Sequence, residues 1–335
     1  MFAEAAEAPR AVAAQRDANH GQLQRISRVL RERQPRAVVT CARGSSDRAA
    51  TFGRYLIETR AGVFTSSLAP SVSSVYAARR DLEGFVFLAI SQSGQSPDLL
   101  ASVEAARGAG AFVIALVNVE DSPLARIAHE TLPLGVGPET SVAATKSYVA
   151  SLAALLHLVG EWTEDPTLLQ ALAAAPDLLA EAWTLDWSPA VETLQDATNL
   201  YVIGRGLGLS VAQEAALKFK ETCGLHAEAF SAAEVRHGPM ALLRGGFPAL
   251  LLSQRDETRA SIDSLAADIV AYGGTLLLAG TRAPGALALP TVPAHPSLEP
   301  MLMIQSFYRM VNALAVARGH DPDRPPHLRK VTETV

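Results

Sequence analysis

Cysteine is scarce: Cys41 and Cys223 are the only two in 335 residues, too few for a disulfide framework. No His/Cys cluster has the local spacing of a zinc site, so the pattern implies neither a metal nor an organic cofactor. Positive charge is also short. Against 34 Asp+Glu stand 29 Lys+Arg, a net charge of -5, which argues against a nucleic-acid surface and a polybasic membrane anchor. Long apolar runs are missing. The longest, residues 111–117, falls far below the ~18 residues of a membrane span. The opening MFAEAAEAPR has no basic stretch ahead of an apolar core, so it does not read as a secretory signal. These absences set the expectation of a reduced, soluble, cytoplasmic protein with no nucleic-acid or membrane partner. What is present is 49% hydrophobic residues, enough for real cores and incompatible with global disorder. The length suggests about two domains at ~150 residues each.

The chain matches itself at a constant offset of 162: Arg43-Gly44 on Arg205-Gly206, Gly84-Phe85 on Gly246-Phe247, Ser91-Gln92 on Ser253-Gln254. With one residue of slippage, Glu58-Thr59 falls on Glu221-Thr222. This period is too long for a solenoid and reads as a duplicated domain. Each copy places short apolar runs between Ala-rich stretches of helical spacing. Residues 37–41, 85–90 and 112–117 are predicted strands of the first copy, and 199–203, 248–252 and 275–278 of the second. Strands alternating with helices predict an α/β fold, two tandem parallel sheets, each doubly wound with helices on both faces. The expected organisation is an N-terminal helical segment (1–20), a first domain (21–160), a helical connector (161–190) broken at Pro166, Pro176 and Pro189, a second domain (191–320) and an irregular tail (321–335).

In such sheets ligands sit outside the carboxyl ends of the strands. The segment Ser91-Gln92-Ser93-Gly94-Gln95-Ser96-Pro97-Asp98 occupies that position, with Ser96 as a natural N-cap and Pro97 in the first helical turn. Free N–H groups and hydroxyls there suit a phosphate, although a Ser/Gly turn alone also reads as an ordinary capped loop. A second small-polar loop, Arg43-Gly44-Ser45-Ser46, follows a neighbouring strand. No P-loop lysine accompanies either, which excludes nucleotide triphosphate chemistry. Residues 204–209 (GRGLGL) carry Leu209 where a dinucleotide fingerprint needs Gly or Ala, so a tight turn onto a helix is the better reading. The following helix sets Glu214, Lys218 and Glu221 on one face, either a solvated charged face or a carboxylate base beside a lysine at the mouth of the second sheet. His237 before Gly238-Pro239 and Lys330 near the chain end carry no such signal by themselves.

In combination these residues resemble one family. From Met1, Glu4, Glu7 and Pro9 through Ser91–Gly94, Glu139–Lys146, Glu214–Glu221, His226–Ala229, His237–Pro239 and Asp321–Lys330, the chain is similar to the sugar-isomerase (SIS) module of glucosamine-6-phosphate synthase. The resemblance implies a sugar 6-phosphate substrate held by Gly44, Ser45, Ser46, Ser91, Gln92, Ser93 and Ser96, with Val142, Ala143 and Glu214 lining the sugar. It implies that Glu221 moves a proton between C1 and C2, that Lys218 supports developing charge, and that Lys330 meets the open-chain carbonyl, a Schiff base being one route. It implies a homodimer in which His237 opens the ring in the neighbouring subunit's site. The resemblance starts at Met1 with no glutaminase domain ahead of it, and residues 331–335 end without the family's terminal acidic residue. The resulting expectation is a glucosamine-6-phosphate deaminase, releasing fructose 6-phosphate and ammonia. Alternatives are another ketose/aldose phosphosugar isomerase, a fructosamine-phosphate deglycase, an ammonia-dependent synthase, and a non-catalytic sugar-phosphate sensor. The sensor lacks support: no basic segment is present, and pure binding would not need Glu221, Lys218 and Lys330.

Overall fold

The computed structural model describes residues 1–330. Residues 331–335, on which the expectation about the chain end falls, lie outside the described residues. The chain forms two compact units. The first comprises Arg10–Glu139, Lys146–Ala173 and the tail from Arg329; the second comprises Met1–Pro9, Thr140–Thr145 and Ala174–Leu328. Two short segments, 1–9 and 140–145, thus group with the later part of the sequence.

In the first unit β1 (Ala37–Cys41), β2 (Thr65–Ser67), β3 (Phe85–Ser91), β4 (Phe112–Val117) and β5 (Glu130–Pro133) make one parallel sheet in the order β2-β1-β3-β4-β5. The middle strands are apolar runs, up to Ser91 at the end of β3, because both faces are covered. Phe87, Ala89, Val113, Ala115 and Val117 pack against Leu99, Val103 and Ala106 of the helix Pro97–Gly108. In the second unit β6 (Asn199–Gly204), β7 (His226–Ser231), β8 (Pro248–Leu252), β9 (Thr275–Ala279) and β10 (Leu287–Leu289) form the order β10-β9-β8-β6-β7, again all parallel. Counted from each unit's first strand, the two orders are the same. The duplication legible at offset 162 is therefore a duplication of topology.

Three expectations need correction. Residues 44–46 are not a loop: the helix Gly44–Leu56 begins directly after Arg43, so Ser45 and Ser46 belong to its first turn. Pro176 does not break the connector, because it lies inside the helix Pro166–Thr184. Burial of Leu168, Leu172, Ala175, Leu179 and Ala182 along one face of that helix outweighs the lost hydrogen bond. Ser96 sits at the N-cap position of Pro97–Gly108, but its side chain makes no capping hydrogen bond.

Candidate active site

In the first unit the strand order changes direction between β1 and β3, the point where doubly wound sheets open a crevice beyond their carboxyl ends. The helices Gly44–Leu56 and Pro97–Gly108 both start there, one after β1 and one after β3. Their free N–H groups and dipoles suit an anion. Gly44, Ser45 and Ser46 line one start; Ser91, Gln92, Ser93 and Ser96 form the loop to the other. The loop is held by its own backbone. Ser91 Oγ accepts from the N–H of Gly94 (3.0 Å), Ser93 Oγ from that of Gln95 (3.4 Å), and the Gly94 carbonyl accepts from Leu124 (3.1 Å). Gly94 is required here: its φ is 64°, and a Cβ would stand 2.4 Å from Ser122 Oγ.

Sequence reasoning missed the clamp that fixes the two helix starts. Arg43, the N-cap residue of one, donates through Nε (2.9 Å) and Nη2 (2.6 Å) to Oδ2 of Asp98 in the first turn of the other. Asp98 is buried and Arg43 half exposed. The signal was available, since both residues lie in the two segments singled out, but nothing in the sequence pairs them.

Lys330 is ion-paired in this unit. Its Nζ donates to Glu139 Oε2 at 3.2 Å, and Glu139 is buried and also accepts from the N–H (3.1 Å) and hydroxyl (2.6 Å) of Ser147. The tail around Lys330 is irregular, as expected, yet this lysine is anchored. Cys41 is no nucleophile: burial pushes its thiol up to about 12.

In the second unit the helix Leu207–Cys223 carries Glu214, Lys218 and Glu221, and the solvated-face reading fails. Lys218 and Glu214 are fully buried. Lys218 Nζ lies 3.4 Å from Glu214 Oε1 and in closer contact with Glu221 Oε2; Tyr308 donates its hydroxyl to Glu214 Oε1 at 3.1 Å. Burial acts against the ammonium, but Glu214 and Glu221 together outweigh it and hold Lys218 above its ordinary value. Glu221 is the member of the group that reaches solvent, its side chain 20% exposed. Tyr308 gave no sequence signal.

The expected position of this group at the mouth of the sheet is corrected by the topology. Strands β6 and β7 are parallel, so the helix between them must run back across the sheet. At ~1.5 Å per residue Glu221 ends about 20 Å from Leu207, beside the amino end of β7. At the helix start, Gly204 has no room for a side chain, a Cβ lying 2.3 Å from the carbonyl oxygen of Gly208. This is the tight turn read from residues 204–209.

Val142 and Ala143 lie in the segment 140–145 of the second unit. Glu4 accepts hydrogen bonds from the backbone of Thr140 and Ser141, Ser141 Oγ donates to Asp323 Oδ1 (2.6 Å), and Val142 N–H donates to the Asp323 carbonyl (3.4 Å). The opening and closing segments of the resemblance thus meet on this loop. His237 is exposed, two residues beyond the short helix Ala232–Val235 that follows β7. Among the described residues, the His/Glu group with metal-ligand geometry is a different one, His20, His157 and Glu161.

The SIS domain description matches residues 33–159 and 193–278. The glutamine–fructose-6-phosphate aminotransferase (isomerizing) of Aeropyrum pernix is 36% identical over 305 residues, covering 86% of this chain and 49% of that protein. The chain therefore spans about half the length of the curated relatives it matches. A crystal structure from Silicibacter pomeroyi DSS-3, provisionally named a phosphosugar isomerase, superposes with a TM-score of 0.93 at 43% identity, covering 96% of this chain and 99% of that one. The C-terminal domain of glucosamine-fructose-6-phosphate aminotransferase from Francisella tularensis gives 0.89 at 26% identity over 96% and 97%.

Proposed function

The chain belongs to the SIS-domain family, and from that premise we propose that it is a phosphosugar isomerase that deaminates an amino-sugar 6-phosphate. The observation that carries the reading is the buried group on the helix Leu207–Cys223. A lysine held cationic between two carboxylates, one of which reaches solvent, is costly to maintain and unnecessary for binding alone.

The phosphate dianion is assigned to the two helix starts, with the hydroxyls of Ser45, Ser46, Ser93 and Ser96 and the side chain of Gln92 as donors. His237 of the partner subunit takes the proton of the anomeric hydroxyl and returns one to the ring oxygen, opening the pyranose. Glu221 removes the C2 proton of the open-chain 2-amino aldose and delivers it to C1, while the amine gives up one proton and the C1 oxygen gains one, which converts aldehyde and amine to a C1 alcohol and a C2 imine. The Lys218 ammonium stabilises the charge that develops in the enol-like intermediate. Water adds to the imine and ammonia leaves, giving the ketose 6-phosphate. Lys330, oriented by Glu139, is assigned to the C1 carbonyl oxygen. Its ion pair favours this role over that of a free amine nucleophile, which would first have to leave the pair.

The test offers the full chain glucosamine, galactosamine and fructosamine 6-phosphates and measures ammonia and ketose 6-phosphate together. Equimolar release from one of them supports the proposal. Interconversion of unaminated aldose and ketose phosphates, with no ammonia from any amino sugar, keeps the isomerase and removes the deaminase. No turnover in either set contradicts both.

A further inference from the structure

A cavity of ≈ 430 Å³ in the first unit is lined by Arg16, Asp17 and His20 of the helix Ala8–Arg33, and by His157 and Glu161 of the helix Lys146–Thr163. None of these residues takes part in the sugar chemistry proposed above. Glu161 Oε1 lies 3.6 Å from His20 Nδ1 and 3.7 Å from His157 Nε2, and one donor atom from each of the three falls within 4.8 Å of the others. These spacings are long for hydrogen bonds, which centre near 2.9 Å. They are close to the ~3.4 Å that separates two ligands bound at about 2.1 Å to a tetrahedral ion. His157 is 4% exposed and lines the cavity, its ring stacked on that of His20 with centroids 6.0 Å apart.

We propose that His20, His157 and Glu161 bind a divalent transition metal of the zinc class, with the fourth position filled by water from the cavity. Two imidazoles and one carboxylate suit zinc, and three protein ligands leave one position open. Gln24 Nε2 lies 3.1 Å from His20 Nε2, the ring nitrogen that faces away from Glu161. Arg16, which also lines the cavity, is engaged by Asp17 (2.8 and 3.0 Å) and by the Ala173 carbonyl (3.1 Å). Such an ion would staple the two helices, which approach here from distant parts of the sequence. That separation is why local spacing gave no zinc signal.

The experiment uses the full chain stripped with a chelator and titrated with Co²⁺ alone, then with Zn²⁺ alone. The expected result is one equivalent of bound cobalt with the visible absorption of a four- or five-coordinate site, displaced by zinc. The melting temperature should rise with zinc concentration, as mass action requires. His20→Ala changes an exposed ring and Glu161→Gln keeps the side-chain shape, so both should fold, lose the band and the zinc-dependent shift, and keep wild-type turnover. No visible band at millimolar cobalt, or a band of wild-type strength in both variants, overturns the site.

Discussion

An ammonium buried away from water costs several kcal/mol unless its partners replace the lost hydration. Lys218 has Glu214 and Glu221 for that purpose, and Glu214 is itself held by Tyr308. Lys218→Met should therefore cost about 3–5 kcal/mol, since Glu214 would be left as a buried charge without its cation. Denaturant unfolding at neutral pH measures it, and a loss within error of zero would contradict the buried-pair reading. The pH dependence has a definite sign. Below the ordinary lysine value of 10.5, Lys218 is protonated in folded and unfolded chain alike, so its contribution is complete. The folded value is higher, so the contribution is lost only as pH rises through it. The stability gap between wild type and Lys218→Met should stay constant across neutral pH and narrow only in strong alkali; a gap already closing below about pH 9 would reverse the inferred shift. At this scale the i, i+4, i+7 spacing revealed the charged trio but not its burial, because periodicity says which residues share a face and not what covers it. Tyr308 and the Arg43–Asp98 clamp were invisible for a related reason: each pairs residues far apart in sequence.

The elements that carry the proposed phosphate site are two helix starts and one tight loop. Gly94 sits with φ 64° against Ser122, so Gly94→Ala should distort the loop at a cost of about 1–3 kcal/mol in strain. The damage should fall on substrate binding: KM for the sugar phosphate should rise about tenfold or more, with kcat changed less, because a displaced donor set loses charge-assisted bonds made in both ground and transition states. Replacing Ser122 by Gly in the same chain removes the clashing atoms and should recover part of the loss. Steady-state kinetics on the single and double variants would decide it, and an unchanged KM would detach this loop from the phosphate. The strands β1, β4 and β8 were readable to the residue, because central strands of a parallel sheet are buried on both faces and so are almost continuously apolar, Thr40 of β1 being the exception. The edge strands β2, β5, β7 and β10 were not: they are short or mixed in polarity, and pairing with a neighbour defines them more than composition does.

At the scale of the whole molecule, one topology is used twice, but the candidate residues do not repeat with it. Ser91-Gln92 and Ser253-Gln254 occupy equivalent positions at the ends of β3 and β8, yet only the first continues into a Ser/Gly loop. Likewise Glu58 and Glu221 both fall late in the helical segment after the first strand, but only Glu221 has a buried lysine beneath it. Duplication made the fold legible, whereas the candidate residues were read from their place at strand ends and from the family resemblance, which alone pointed to His237 and Lys330. The assignment of His237 to a neighbouring subunit is a prediction about assembly. Co-expressed His237→Ala and Glu221→Gln chains, each inactive alone, should regain about a quarter of wild-type turnover, because half of the dimers are mixed and each mixed dimer has one intact site. No recovery in mixed dimers isolated by tag would place His237 in its own subunit's site or outside the chemistry. The most direct measurement follows hydrogen itself, with an amino-sugar 6-phosphate deuterated at C2. Wild type should move that deuterium to C1 or lose it to solvent, and Glu221→Gln should do so 10²–10⁴-fold more slowly, roughly the loss expected for an acid–base group, while still binding the substrate. Exchange at the wild-type rate in Glu221→Gln would contradict the assignment of Glu221 as the proton shuttle.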